Sequence, residues 1–106
     1  MEKINLMDWV ERIDTPWEPK EVTRLHDVAL RIAKIQGTYD WHTHRFEDEL
    51  FLVLKGKMFI DTPEGSVELN EMESYQVKRG TRHRSRSDKP AWVLLIEPVH
   101  TKTKGD

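Results

Sequence analysis

An all-β sandwich or barrel, built as one domain, is the fold that the sequence predicts. Turn chemistry recurs at Gly37, Lys55-Gly56, Thr62-Pro63-Glu64-Gly65, Arg79-Gly80-Thr81 and Asp88-Lys89-Pro90, and short apolar runs fill the intervals between these turns. The chain has 106 residues, enough for one hydrophobic core and too few for two. With 37% hydrophobic and 34% charged residues, it matches a globular domain in water rather than a membrane or collagenous chain.

The elements follow in order. Residues 4–13 are expected to form one short helix, which Pro16 and Pro19 around Trp17 prevent from extending. Residues 1–20 thus read as an N-terminal arm, with Trp9 and Trp17 as anchors that pin it to the barrel or to a partner subunit. Residues 28–35 mix helix formers with the alternation Val28, Leu30, Ile32, and the alternation decides for a strand. Residues 50–54 (LFLVL) lack a polar break, as in a strand buried on both faces, and Lys55-Gly56 reads as a tight hairpin into Met58-Phe59-Ile60. Further strands are expected at 67–69, 74–77, 83–87 and 92–96, the last ended by Pro98. Phe51, Met58, Phe59 and Trp92 are assigned to the interior. The barrel spans about 21–100, and the polar tail 101–106 is expected to be mobile beyond it.

Charge and cysteine content remove several functions. Seventeen basic against nineteen acidic side chains leave a formal charge of -2, so no global field draws nucleic acid or an anionic membrane. The absence of cysteine removes disulfides, thiol nucleophiles and thiolate zinc sites. Any metal must be held by histidine and carboxylate. The first ten residues mix Glu2, Lys3 and Asp8 with apolar ones, which is not the pattern of a signal peptide, and no later stretch is apolar enough to span a bilayer. A cytoplasmic protein is expected.

Two histidines stand in Trp41-His42-Thr43-His44. On an extended strand, alternate side chains share a face with Cα atoms roughly 6.6 Å apart, so both imidazoles can converge on one cation. Glu49 lies at an odd offset from His44, and the polar segment 45–48 supplies the turn that brings it back to the same side. His83 follows the turn at Arg79-Gly80-Thr81 and can enter the interior from across the barrel. Glu47 and Asp48 read as solvated turn residues, and His26 and His100 stand alone. In the basic stretch 78–86 (KRGTRHRSR), alternation that points His83 inward also points Ser85 inward, while Arg84 and Arg86 face out toward Glu68, Glu71 and Glu73. Arg82, in the turn, is a candidate phosphate contact at the rim.

The spacing Gly37-x4-His42-x-His44-x4-Glu49-x6-Gly56 resembles the first signature of the cupin superfamily, G-x5-H-x-H-x(3,4)-E-x6-G, departing from it by one residue in the first spacer. The second signature, G-x5-P-x-G-x2-H-x3-N, is matched at Gly80 and His83, with Met72, Lys78 and Ser87 at the positions of its first Gly, its Pro and its Asn. The string WHTHRFEDELFLVLKG, residues 41–56, is similar to small single-domain cupins labelled mannose-6-phosphate-isomerase-like. The resemblance covers about residues 37–96. It implies a jelly-roll β-barrel, a metal ion held inside by His42, His44, Glu49 and His83, and a homodimer formed through a sheet.

Imidazole nitrogens and one carboxylate suit Zn, Fe, Ni or Mn. Such an ion polarises a carbonyl, acidifies water or, as iron, binds oxygen. Isomerisation or epimerisation, hydrolysis or decarboxylation, and dioxygenation of a small polar metabolite such as a sugar or keto acid all remain open. A general base beyond the ligands is not evident, since Ser85 and Ser87 are weak bases and Glu47 or Asp48 would have to turn inward. That gap keeps a non-catalytic binding or sensor module as the alternative. Tyr39, Trp41, Phe46 and Tyr75 flank the proposed ligands or turns and are candidates to line the pocket.

Overall fold

The computed structural model describes residues 2–106. Helix α1 (Leu6–Arg12) begins where the side chain of Asn5 accepts hydrogen bonds from the amides of Met7 and Asp8 at 3.0 and 3.4 Å. Asp8 in its first turn and Arg12 in its last complement the helix dipole. The helix is shorter than residues 4–13, because the cap at Asn5 starts it and Ile13 leaves it in an extended conformation.

Seven strands follow: β1 (Lys20–Leu25), β2 (Val28–Thr38), β3 (Glu49–Lys55), β4 (Met58–Thr62), β5 (Gly65–Leu69), β6 (Ser74–Val77) and β7 (Arg84–Pro98). All pairs are antiparallel. The order is β1-β2-β7-β3-β6, with β4 joining β7 to β5. The expected all-β barrel is the observed architecture.

Strand β7 organises the barrel. Its start pairs with β4, Ile60 opposite Ser85, and its later part pairs with β3, Val53 opposite Val93, while β2 runs along both parts. The sequence reads Asp88-Lys89-Pro90 as a turn between two strands. Instead these exposed residues form a bulge within one strand: Ile35 pairs with Ala91 and Gly37 with Ser87, so one residue of β2 faces three of β7. A bulge tolerates Pro90 because the ladder is already interrupted there.

The expected hairpin between residues 50–54 and 58–60 does not form. Strand β3 is flanked by β6 and β7, whereas β4 pairs with β5 and β7. The chain changes partners at Gly56, whose φ of 90° and closeness to the Pro90 carbonyl, 2.9 Å from where a Cβ would stand, leave room only for glycine. Strand β1 carries no apolar alternation to announce it. It is a polar edge strand, turned onto β2 by His26-Asp27 with His26 at φ 55°.

Two apolar layers hold the fold together. Ala33, Ile35, Phe51, Val53, Met58, Ile60, Val93 and Leu95 fill the barrel interior. On the outer face of the sheet, Val10 and Ile13 pack against Ile32, Leu54 and Leu94, with Trp9 beside them. Phe51 and Met58 lie inside as expected. Phe59 and Trp92 do not: the neighbouring Met58 and Val93 take the inward positions. Phe59 instead lies under Arg86 at 4.3 Å, and the Trp92 indole donates to the Ile13 carbonyl at 2.8 Å. Trp9 and Trp17 both anchor the arm to the barrel. Trp17 donates its amide to the Lys34 carbonyl at 2.9 Å and its indole N–H to the Gln36 carbonyl at 3.1 Å.

The tail is not free. Thr101 is buried, and the Asp106 amide donates to the Thr43 carbonyl at 2.9 Å while the Asp106 carboxylate accepts from the Arg45 amide at 3.1 Å. These bonds dock residues 101–106 beside the segment that carries His42 and His44.

Candidate metal centre

His42 and His83 pair in an isolated β-bridge, flanked by the Tyr39 amide donating to the Ser85 carbonyl and the Gly80 amide donating to the His44 carbonyl, both at 2.9 Å. His44 follows two residues on, and the bend at 45–46 returns the chain to Glu49 at the first position of β3. Ring nitrogens of His42, His44 and His83 lie within 4.8 Å of one another. Glu49 Oε1 lies 3.5 Å from Nε2 of both His44 and His83. The structure therefore brings together all four residues singled out on the sequence. His44, Glu49 and His83 are only 2%, 6% and 0% exposed.

Backbone carbonyls orient two of the rings. The Asp40 carbonyl is 2.8 Å from His42 Nδ1, and the Thr81 carbonyl is 2.9 Å from His83 Nδ1. A carbonyl only accepts, so each Nδ1 carries a proton and Nε2 is the ring nitrogen left to face the interior. Among the described residues, His44 Nε2, His83 Nε2 and Glu49 Oε1 are fully buried polar atoms without a hydrogen-bond partner. Buried polar atoms left unpaired are costly. Three of them converging on one point is the donor set that a cation satisfies, with ring N–H groups anchored behind it as metal-binding imidazoles require.

Electrostatics divide the acids of the interior. Burial would raise Glu49, but the adjacent His44 and His83 rings and Glu97 outweigh it and hold the group below the usual carboxylate range. Burial pulls His42 down, partly opposed by the Asp40 carbonyl. His44 is also pulled down by burial, yet the adjacent Glu49 more than compensates and raises it. Glu97 is pushed up to about 9, first by burial and then by the neighbouring Glu49 carboxylate. The two neighbouring carboxyl groups are thus pushed in opposite directions, Glu49 down and Glu97 up. Arg31 Nη1, 3.0 Å from Glu97 Oε1, opposes that shift without overcoming it.

Glu97 is the ionisable group that sequence reasoning misses. The available signal is its place in Val93-Leu94-Leu95-Ile96-Glu97, where inward Val93 and Leu95 put Glu97 on the same face. Its partner Arg31 sits on β2, which pairs with this stretch of β7. Glu47 also departs from expectation: it is 5% exposed rather than solvated. A carboxylate oxygen of Glu47, one of Asp106 and a ring nitrogen of His44 lie within 4.8 Å of one another, and Glu47 Oε2 is 3.3 Å from His100 Nε2. The bend that turns Glu49 inward buries Glu47 with it. Asp48 stays exposed and accepts from the Arg79 amide at 2.8 Å.

A cavity of about 50 Å³ adjoins the histidines. Of the four aromatic candidates only Tyr39 lines it. Trp41, next in sequence to the inward His42, instead carries Arg82 and Arg84 over its ring at 4.7 and 4.8 Å. Phe46 is 69% exposed, and Tyr75 borders a separate surface depression together with Arg82. Arg82 thus lies outside the central cavity. Arg84 and Arg86 face outward as alternation requires, but they pair with Asp61 at 2.9 Å each rather than with Glu68, Glu71 or Glu73. The register places Asp61 directly opposite Arg84. Glu68 is beside Lys57, and Glu71 and Glu73 accept from the amides of Gly56 and Asn70.

Comparison with known proteins gives a consistent result. Residues 30–97 match the family model described as Cupin domain. The uncharacterized protein YdbB of Bacillus subtilis (strain 168) is 39% identical over 83 residues, which span 77% of this chain and 74% of that protein. A cupin-2 domain containing protein from Shewanella frigidimarina superposes with a TM-score of 0.87 at 26% identity, covering 90% of this chain and 93% of that one. Protein NMB1881 from Neisseria meningitidis superposes with a TM-score of 0.83 at 33% identity, covering 92% and 99%.

Proposed function

This chain belongs to the cupin domain family, and from that premise we propose that His42, His44, His83 and Glu49 hold a divalent metal ion that acts on a small molecule bound in the barrel. The observation that carries the proposal is the convergence of His44 Nε2, His83 Nε2 and Glu49 Oε1, buried and unpartnered, on one point. Three imidazoles and one carboxylate suit Zn, Fe, Ni or Mn, and leave coordination positions for a ligand on an octahedral ion.

When bound, such an ion supplies Lewis-acid activation of a carbonyl, hydroxyl or water oxygen. The chain's own residues do the rest. The carbonyls of Asp40 and Thr81 keep two imidazoles in the tautomer that offers Nε2 inward. Glu97 lines the cavity next to Glu49, and burial together with that carboxylate raises its carboxyl group above the ordinary range. It supplies the acid-base group that the sequence lacks, within the space a substrate would occupy. Trp17 and Tyr39, stacked with ring centroids 4.8 Å apart, cover one side of that space and keep bulk water out. These features favour an enzyme over a passive binding module.

Within the family, we read the string 41–56 as a likeness to the mannose-6-phosphate-isomerase-like cupins, of sequence rather than of activity. We assign the protein to the cytoplasm and read it as a homodimer, in which the half-buried Leu30, Leu52 and Ile96 on the outer face of the sheet meet their copies.

Metal analysis of protein purified without nickel affinity, followed by turnover assays with added Fe, Mn, Ni or Zn, tests the reading. About one metal per chain together with metal-dependent product supports it. Sub-stoichiometric metal, unchanged by His42→Ala, overturns it.

A further inference from the structure

The wall of the central cavity is apolar, although sequence reasoning expects a polar metabolite. Ala33, Ile35, Phe51, Met58, Val93 and Leu95 line it from β2, β3, β4 and β7. At the outer end, Trp17, Pro19, Tyr39 and Thr103 contribute from the arm, the segment after β2 and the tail. Trp17 is held there in a left-handed conformation, φ 62°, by hydrogen bonds from its amide and its indole to β2 carbonyls. A bulky residue adopts that conformation only where its surroundings impose it. His42, Glu49 and Glu97 line it at the metal-binding end, and the hydroxyl-bearing Ser85, Tyr39 and Thr103 are the other polar side chains of the lining. Among the described residues no lysine or arginine lines the cavity; Arg31, the nearest inward cation, is bound to Glu97 and to the carbonyls of Val99 and Thr101.

We propose that the site takes a short ligand with one oxygen-bearing head, directed to the histidine and glutamate end, and an uncharged apolar body lying against the six wall residues. The inference deepens the metal reading above and rests on it for the head group. A second charge or hydroxyl on the body would be buried against carbon without a partner, which costs more than it returns. Sugars, phosphosugars and dicarboxylates are thereby disfavoured.

Isothermal titration of zinc-loaded protein tests the class with probes that share a head. Acetate, propionate and butyrate are compared with 3-hydroxypropionate, which matches butyrate in heavy atoms, and with succinate and mannose 6-phosphate. The expected result is about four-fold tighter binding per added methylene, the fold-change equivalent to about 0.8 kcal/mol per buried CH₂, and binding of 3-hydroxypropionate and succinate about ten-fold weaker than butyrate. Equal or tighter binding of 3-hydroxypropionate, succinate or mannose 6-phosphate overturns the proposal, as does no detectable binding of the monocarboxylates. Zinc content, measured on the same samples, is read separately. Preference for the apolar body in protein that retains no zinc overturns the metal reading and supports the apolar class. Full zinc occupancy without that preference does the reverse.

Discussion

His42 and His83 donate their backbone amides to each other's carbonyls at 3.0 and 2.9 Å, and their rings lie 4.4 Å apart. This bridge joins two segments that are far apart in sequence, beside the end of the β2–β7 ladder at Thr38 and Arg86. Two ring nitrogens are thus positioned by the main chain before any ion binds, which lowers the entropic cost of assembling the site.

Removing one ring should remove the metal. His42→Ala and His83→Ala are each expected to weaken metal affinity by more than about 100-fold, since even residues behind the ligands contribute 10–100-fold. Elemental analysis after dialysis reads the loss. His100→Ala, on the surface beside Glu47, is the control and should retain full metal content.

Metal should stabilise the fold. At a free concentration about 100 times the dissociation constant, linkage adds about 2.7 kcal/mol, which for a domain of this size corresponds to a rise in Tm on the order of 10 °C. Thermal melts with and without a chelator measure it. Identical melting curves would count against metal binding at the site.

Metal affinity should be level above neutral pH and fall in acid. A coordinating imidazole must be neutral, and the ordinary histidine pKa is about 6.5. His42 lies below that value and so stays available further into acid, whereas His44, raised by Glu49, takes up its proton first and sets the upper edge of the decline. Competition with a chromophoric chelator between about pH 5 and 8 follows it. Constant affinity across that range would exclude histidine ligation.

Asp61 should contribute to stability without touching the metal. Burial would raise it, but the hydrogen bonds from Arg86, Ser66 and Arg84 hold it at about 2, below its ordinary 3.8. A lowered carboxyl contributes stability that is fully present above its unfolded value and is lost as pH falls toward the folded one. Because Arg84 and Arg86 are about one third exposed, the contribution is discounted to about 1–2 kcal/mol. Asp61→Asn should lose that amount in urea unfolding at pH 7 and flatten the dependence on pH between about 4 and 2, with unchanged metal content.

Arg31 and Glu97 should be more costly to separate. Glu97→Ala leaves a largely buried guanidinium with only the more distant Glu21, at 3.6 Å, and two carbonyls as partners. The expected loss is about 1.5–3 kcal/mol, that of a hydrogen bond to a charged group. Glu97→Gln keeps an amide oxygen for Arg31 and should cost less than half as much in the same unfolding experiment. Equal losses would show that Arg31 does not depend on the Glu97 oxygen.

The alternation in β7 explains why part of the site is legible in the sequence and part is not. Ser85 inward and Arg84 and Arg86 outward follow from the period of two along any strand. The unbroken apolar run of residues 50–54 announces the strand, but only Phe51, Val53 and Leu54 are buried while Leu50 and Leu52 are half-buried. The pairing of β3 with β7 rather than β4 does not follow from that run, because register depends on partners distant in sequence. The acidity of Glu97, the burial of Glu47 and the docking of the tail on Thr43 likewise depend on what packs beside them.

From its residues alone the chain determines an all-β barrel, the inward and outward faces of its strands, and the spacing that gathers three histidines and Glu49. Those properties are local, set by turn chemistry, strand periodicity and short spacers. Only the tertiary structure decided that Glu97 is raised beside Glu49, that Asp61 holds the two arginines, and that the cavity wall is mainly carbon. The reason is physical: ionisation and solvation are set by the neighbours that surround a group in three dimensions, and in this barrel those neighbours come from strands far apart in sequence.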